Sequence, residues 1–177
     1  MKSPTQVLIE EHRVILRALD TLERGADRLK GSGGLPAGWW EELVEWLRAF
    51  ADRNHHAKEE QLLFPAMVKH GVPQEGGPIA VMLEEHVQGR ALIAAMAAGE
   101  PAHRAAKARQ YVELLRQHID KENGILFPLA DAVLDDEAVR TLSREFAAVE
   151  AEQGKTASIA WAEAAVERLI AGLGEAR

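Results

Sequence analysis

The sequence predicts an all-α protein: an antiparallel up-down-up-down four-helix bundle with two additional C-terminal helices. Three observations predict it. Apolar residues recur at helical spacing along nearly all of the 177 residues, and no alternating apolar run bounded by turn residues reads as a strand. Short links rich in Gly and Pro separate the first four helical segments, which makes consecutive helices antiparallel neighbours. Two of those segments carry the same eleven-residue pattern: His55-His-Ala-Lys-Glu59-Glu-Gln-Leu-Leu-Phe-Pro65 aligns without a gap on His118-Ile-Asp-Lys-Glu122-Asn-Gly-Ile-Leu-Phe-Pro128.

The first helix starts at Ser3-Pro4, a capping serine with proline in the first turn. Its apolar stripe is Val7, Leu8, Ile15, Leu19, Leu22 and Leu29, with His12 on or beside it, and the run from Gly31 to Pro36 ends it. A second helix begins near Gly38 and continues to about His70 on Trp39, Leu43, Trp46, Leu47, Phe50 and Ala51. Pro65 lies inside it, so a kink or local break is expected there. Pro78 suits the first turn of the third helix, which carries Ile79, Met82, Leu83, His86, Ile93 and Met96. The fourth extends from about Pro101 to Leu134 through Tyr111, Leu114, Leu115, His118 and Phe127, with Pro128 repeating the Pro65 feature. Two shorter helices follow, roughly 137–152 and 155–173. Residues 1–134 are thus the bundle, and residues 135–177 a helical extension packed on the same domain.

Bulk composition narrows the function classes. Hydrophobic residues make up 47% of the chain, enough for a core and too many for disorder. There is no cysteine, which excludes disulfides, thiolate metal sites and thiol nucleophiles and fits a reducing cytoplasm. A net charge of −7, from 28 acidic and 21 basic residues, argues against nucleic acid or an anionic membrane as partner. The opening Met-Lys-Ser-Pro-Thr-Gln leads directly into the amphipathic pattern and reads as neither signal peptide nor membrane span.

The repeat points to metal. In each copy a histidine precedes a glutamate by four residues, which stacks them on one helix face. A larger repeat encloses it, because Glu10-Glu11-His12 in the first helix matches Glu84-Glu85-His86 in the third. At 1.5 Å per residue, His12 and His86 lie ~12 Å from one end of the bundle, His55 and Glu59 ~16–22 Å and His118 and Glu122 ~18–24 Å from it. Four imidazoles and two carboxylates therefore converge in one layer. Buried carboxylates need cations, and imidazole with carboxylate but without thiolate suits iron, manganese or zinc. Two carboxylates between two ions are natural bridges, and six protein groups leave positions open for water or a small ligand.

These motifs, with the two Leu-Phe-Pro tails, cover residues 1–134 and resemble the bacterial hemerythrin-like proteins of the HHE cation-binding family. The resemblance implies two iron ions with an oxo or hydroxo bridge, zinc or manganese being possible substitutes. It implies that Glu59 and Glu122 bridge them, that His12 and His55 bind one iron and that His86 and His118 bind the other. Hemerythrins that carry oxygen have a further histidine one turn after the position of His86, and here that residue is Arg90. A guanidinium does not ligate metal. One iron then lacks a ligand, or recruits Tyr111 or water, and Arg90 is free to pair with an acid behind the site. That departure favours reaction with, or sensing of, oxygen, hydrogen peroxide or nitric oxide over reversible oxygen carriage.

Bland readings compete. Any one histidine alone reads as an ordinary core or surface residue, and only the double repeat reverses that. His56 and Glu60 form a rival pair rotated by about 100°. The alignment on His118 and Glu122 selects His55 and Glu59, leaving His56 and Glu60 outward-facing or behind the ligands. Tyr111 and the phenylalanines read as packing, and Glu10, Glu11, Glu84 and Glu85 as a solvated face or acceptors for ligand histidines. His70 and His103 read as helix-end residues. Adjacent Trp39 and Trp40 do not both face one core, so one marks a contact with the last helices or with a second subunit. The first functional expectation is a binding or sensing protein for a small diatomic or peroxide ligand, with a protein partner or homodimer for output. Next come a peroxide-consuming or otherwise oxidising di-iron oxidoreductase, then iron storage, delivery or repair of damaged iron centres. A metal-free structural bundle comes last.

Overall fold

A computed structural model describes residues 2–30 and 34–174. Gly31, Ser32 and Gly33 of the first expected link lie outside the described residues. Helix α1 is Pro4–Lys30. Its start is a capping box: Gln6 N–H donates to Ser3 Oγ at 3.2 Å and Ser3 N–H donates to Gln6 Oε1 at 3.1 Å. Helix α2, residues 39–69, is composite, with α-helical Trp39–Trp46 and Phe64–Lys69 flanking the π-helical segments Leu47–His56 and Glu59–Leu63. Helix α3 is Pro78–Met96. Helix α4, residues 101–133, joins α-helical Pro101–Lys121 and Phe127–Val133 through π-helical Glu122–Leu126. Helix α5 is Asp136–Gln153, where the Asp135 carboxylate accepts from Ala138 N–H at 2.8 Å. A 3₁₀ turn, Gly154–Ala157, then leads to α6, Ile159–Leu173. That turn occupies the stretch where the sequence places the beginning of the last helix. No strand occurs among the described residues.

The prolines do not break their helices. In an α-helix Pro65 would lose one hydrogen bond and its ring would crowd the carbonyl four residues back. Instead Phe64 N–H donates to Glu59 O, five residues back, and Phe127 N–H donates to Glu122 O in the same way. The wider turn before each proline absorbs the conflict. Both wide turns begin at the repeated glutamate.

Two apolar clusters sandwich one polar layer. Above lie Ile15 and Leu19 of α1, Leu47 and Ala51 of α2, Ile93 of α3, Leu115 and Ile119 of α4, and Ala162 and Val166 of α6. Below lie Leu8, Leu63, Phe64, Met82, Leu126, Phe127, and Leu142 and Phe146 of α5. His12, His55, His86 and His118 fall between the two. Trp39 and Trp40 are both buried, because different helices cover their two directions. Trp39 Nε1 donates to Leu169 O of α6 and Trp40 Nε1 donates to Met96 O of α3, each at 2.8 Å.

Gly25 stands inside α1 where a Cβ would run into the Trp39 ring. Gly25→Ala would add about 1 kcal/mol of helix propensity at an open position. Here the indole is pinned by its bond to Leu169, so overpacking dominates. The variant is expected to lose about 1–3 kcal/mol of stability, measured by urea unfolding.

Candidate metal centre

The layer holds seven buried side chains in two overlapping groups: His12, His55, Glu59 and Glu122, and His56, Glu59, His86 and His118. Within each group one donor atom per residue lies within 4.8 Å of the others. Glu59 belongs to both. Its Oε1 is 3.6 Å from His55 Nε2 and its Oε2 is 3.5 Å from His86 Nε2. Glu122 spans the same gap, with Oε2 3.1 Å from His12 Nε2 and Oε1 3.1 Å from His118 Nε2. Each carboxylate thus faces an imidazole from either side.

Four of these five rings are held from behind by a hydrogen bond. His12 Nδ1–H donates to Asn123 Oδ1 at 2.8 Å, His55 to Glu11 Oε2 at 2.9 Å, His86 to Glu60 Oε1 at 2.7 Å and His118 to Glu85 Oε2 at 2.9 Å. His56 Nδ1 lies 3.5 Å from Asp52 Oδ1. With an ion bound, a proton fixed on Nδ1 would leave the Nε2 lone pair of these four rings facing inward. The acids behind the rings are themselves paired. Lys58 bonds Glu11, and Lys121 bonds Glu85. Arg90 donates from Nε to Asp52 Oδ1 at 2.8 Å and from one terminal amino group to Glu60 Oε1 at 2.5 Å.

Inward, His86 Nε2 and His118 Nε2 lie 3.1 Å apart, within hydrogen-bond distance, but most of the other polar atoms lack partners. His12 Nε2, His55 Nε2 and all four oxygens of Glu59 and Glu122 are buried without a hydrogen bond. Such groups cost about 1–3 kcal/mol each when nothing satisfies them. Nitrogen and oxygen donors converging without partners is the arrangement a divalent cation satisfies, so the residues present fit a metal.

The protonation states fit the same picture. Burial, reinforced by the Glu122 charge, raises the Glu59 pKa well above the carboxylate range. Burial would raise Glu122 too, but the flanking His118 and His12 rings overcome it and hold Glu122 well below that range. Burial lowers His55 to about 4 and pushes His56 well below the usual imidazole value, in each case helped by neighbouring rings. Without an ion Glu59 holds a proton while Glu122 stays an anion, and ion binding would displace that proton.

The six residues singled out by the repeat meet in this layer. One expectation is corrected: His56 is neither outward-facing nor behind the ligands. It is 3% exposed, and its ring stacks on His86 at 3.9 Å between centroids. Adjacent residues of an α-helix point about 100° apart. His55 and His56 lie in a π-helical stretch, where Ala57 N–H donates to Asp52 O, five residues back. That wider turn lets both rings face the bundle axis. Glu60 is the acceptor for His86 Nδ1–H, on the side of the ring away from Glu59. Arg90 pairs with Asp52 and Glu60. Tyr111 is not recruited to the layer: its hydroxyl is buried without a partner, and burial raises its pKa. Glu11 is 1% exposed and is no part of a solvated face. His70 ends α2, its Nδ1 2.8 Å from Ala66 O. The residues missed by reading the sequence are Asp52, Lys58 and Asn123. Lys58 had a signal, because it repeats as Lys121.

A four-helix bundle whose core layer presents imidazoles and shared carboxylates defines a cation-binding helical protein. The chain belongs to the hemerythrin HHE cation binding domain family, whose model matches residues 3–130. Among curated proteins it is 27% identical over 149 residues to the uncharacterized proteins Rv1995 and MT2051 of Mycobacterium tuberculosis and Mb2018 of Mycobacterium bovis. The alignment takes in 78% of this chain but spans only 58% of the length of those relatives. No solved structure matches it.

Proposed function

We propose that the chain holds two iron ions, one in each group of the polar layer, and that this pair binds, senses or reacts with oxygen, hydrogen peroxide or nitric oxide. The observation that carries the reading is the sharing of Glu59 between two groups of inward-facing donors. His12 and His55 would hold one ion, and His56, His86 and His118 the other, with Glu59 and Glu122 between them. Bound iron supplies the redox chemistry. The chain fixes His12, His55, His86 and His118 by their Nδ1 bonds and His56 by stacking on His86, and it keeps bulk water away with the apolar clusters above and below.

With His56 in place, the position left by Arg90 no longer implies a missing ligand, and reversible binding stands among the activities of such a centre. The ion served by two histidines has fewer protein donors, which favours it as the side that meets an external ligand. A small ligand suits the surroundings. The open pocket of about 620 Å³ near Arg90 and Asp52 is separated from His86 by Glu60 and Arg90 themselves. No described helix is long and apolar enough to cross a membrane, and a cytoplasmic location is part of the proposal.

Anaerobic loading with ferrous iron is expected to give two irons per chain by elemental analysis. Exposure to oxygen or nitric oxide should then change the visible spectrum, and reversal on degassing would mark binding or sensing. Repeated consumption of hydrogen peroxide would mark an enzyme. A loaded chain without metal would overturn the reading.

A further inference from the structure

The internal repeat builds the same three-residue contact twice: Glu11 with His55 and Lys58, and Glu85 with His118 and Lys121. The two copies differ in their surroundings. Lys121 is 37% exposed, whereas the Lys58 side chain is fully buried. Its Nζ lies 2.5 Å from Glu11 Oε1 and 2.7 Å from Glu150 Oε1. The ring of Phe146 sits 5.7 Å from the same nitrogen, near enough for a cation–π contact. Glu11 is fully used, accepting from Lys58 and Asn54 on one oxygen and from His55 on the other.

Glu150 and Phe146 belong to α5, beyond the 3–130 stretch that the family model matches. A buried ammonium is costly unless paired and hydrogen-bonded. Two carboxylates and an aromatic face hold Lys58, and α5 supplies one of the carboxylates and the face. We propose that Lys58 is a positioning residue for the His12–His55 side of the metal centre, and that α5 keeps it there through Glu150 and Phe146. Glu150–Lys58–Glu11–His55 is then one line of charge-assisted contacts, and the C-terminal segment is a working part of one half of the centre. Lys58 aims Glu11 at His55, and Glu11 sets how much electron density the imidazole offers on its inner nitrogen. Glu150 offsets part of the Lys58 charge; the ammonium end of this pair is out of solvent, although the glutamate is half-exposed.

The inference rests on the two-iron reading, and one experiment separates the two. Wild-type chain and variants are titrated anaerobically with ferrous iron against a competing chelator, and the midpoint potential of each iron is measured. Wild type should bind two ions. Lys58→Met should weaken one ion by about tenfold, the low end of the loss for groups that hold a ligand directly, because Lys58 acts through Glu11, and leave the second in place. Lys121→Met should lose less, because solvent screens its pair. Glu150→Gln keeps shape at a half-exposed position and so tests the relay even if Lys58→Met fails to fold. It removes a negative charge behind Lys58, which favours the less charged ferrous ion, so the potential of one iron should rise. Glu145→Gln, an identical charge change at an exposed site on the same helix, should not raise it. If Glu150→Gln matches wild type in both affinities and both potentials, or if Lys58→Met and Lys121→Met lose equally, the proposed role of α5 is wrong while the centre stands. Wild type that takes up no iron overturns both.

Discussion

Glu59→Leu is expected to abolish uptake of both irons and, in the metal-free protein, to raise stability by about 1–3 kcal/mol. The two effects have one cause. Glu59 is the carboxylate common to both donor groups, so each ion loses a ligand at once. Without metal, the same side chain is fully buried, both its oxygens lack partners, and burial with the Glu122 charge forces a proton onto it. An apolar side chain of similar size removes that unsatisfied group. Glu122→Leu should behave oppositely in the metal-free chain. Glu122 is held as an anion by His118 and His12, and its lowered pKa means that folding favours the charged form. Such a group contributes stability above its unfolded pKa, lost as pH falls through the folded value. Urea unfolding of both variants with and without ferrous iron reads all four quantities. Metal at 100 times its Kd adds ~2.7 kcal/mol to wild type, and neither variant should show that increment. Two irons in Glu59→Leu, or a less stable metal-free form, would remove Glu59 from the shared position.

Much of this architecture is legible in the chain because it is periodic. The bounds of α3 and α5 follow from Pro78, Met96 and Asp135, local signals that tertiary contacts do not override. The polar layer is legible because it is written twice, and a repeat filters accidental histidines from meaningful ones. What escapes depends on departures from the α-helix or on docking between distant segments. The π-helical stretch Leu47–His56 changes which neighbours share a face, and no residue within it announces the extra width. Pro65 and Pro128 do announce their wide turns, but as a conflict whose resolution only the packed bundle decides. Nothing in the 3.6-residue period marks Lys58 as buried. It is buried because α5, joined to the bundle by sequence 78 residues further on, lays Phe146 and Glu150 over it. The same docking by α6 buries Trp39 beside an already buried Trp40.

His56 decides between the helical period and the structure. From the alignment alone His56→Ala should leave the metal untouched and His55→Ala should not. With the ring 3.9 Å from His86 and inside the group formed by Glu59, His86 and His118, the expected result changes. His56→Ala should reduce stoichiometry from two irons to one, and His55→Ala should do the same for the other ion. The loss should exceed the ~10–100-fold typical of a group that only supports a ligand. Arg90 supplies a second arm. It lies one turn after His86 and now ties together Asp52 and Glu60 behind His56 and His86. Arg90 is also where the sequence departs from the pattern expected of an oxygen-carrying hemerythrin, a histidine at that position. If His56 has taken over the place of that residue, Arg90→His in the His56→Ala background should recover the second iron, less tightly because Asp52 and Glu60 lose their cation. A His56→Ala chain that binds two irons with wild-type affinity would return His56 to the role of packing against His86 and leave four histidines, not five, to hold the pair.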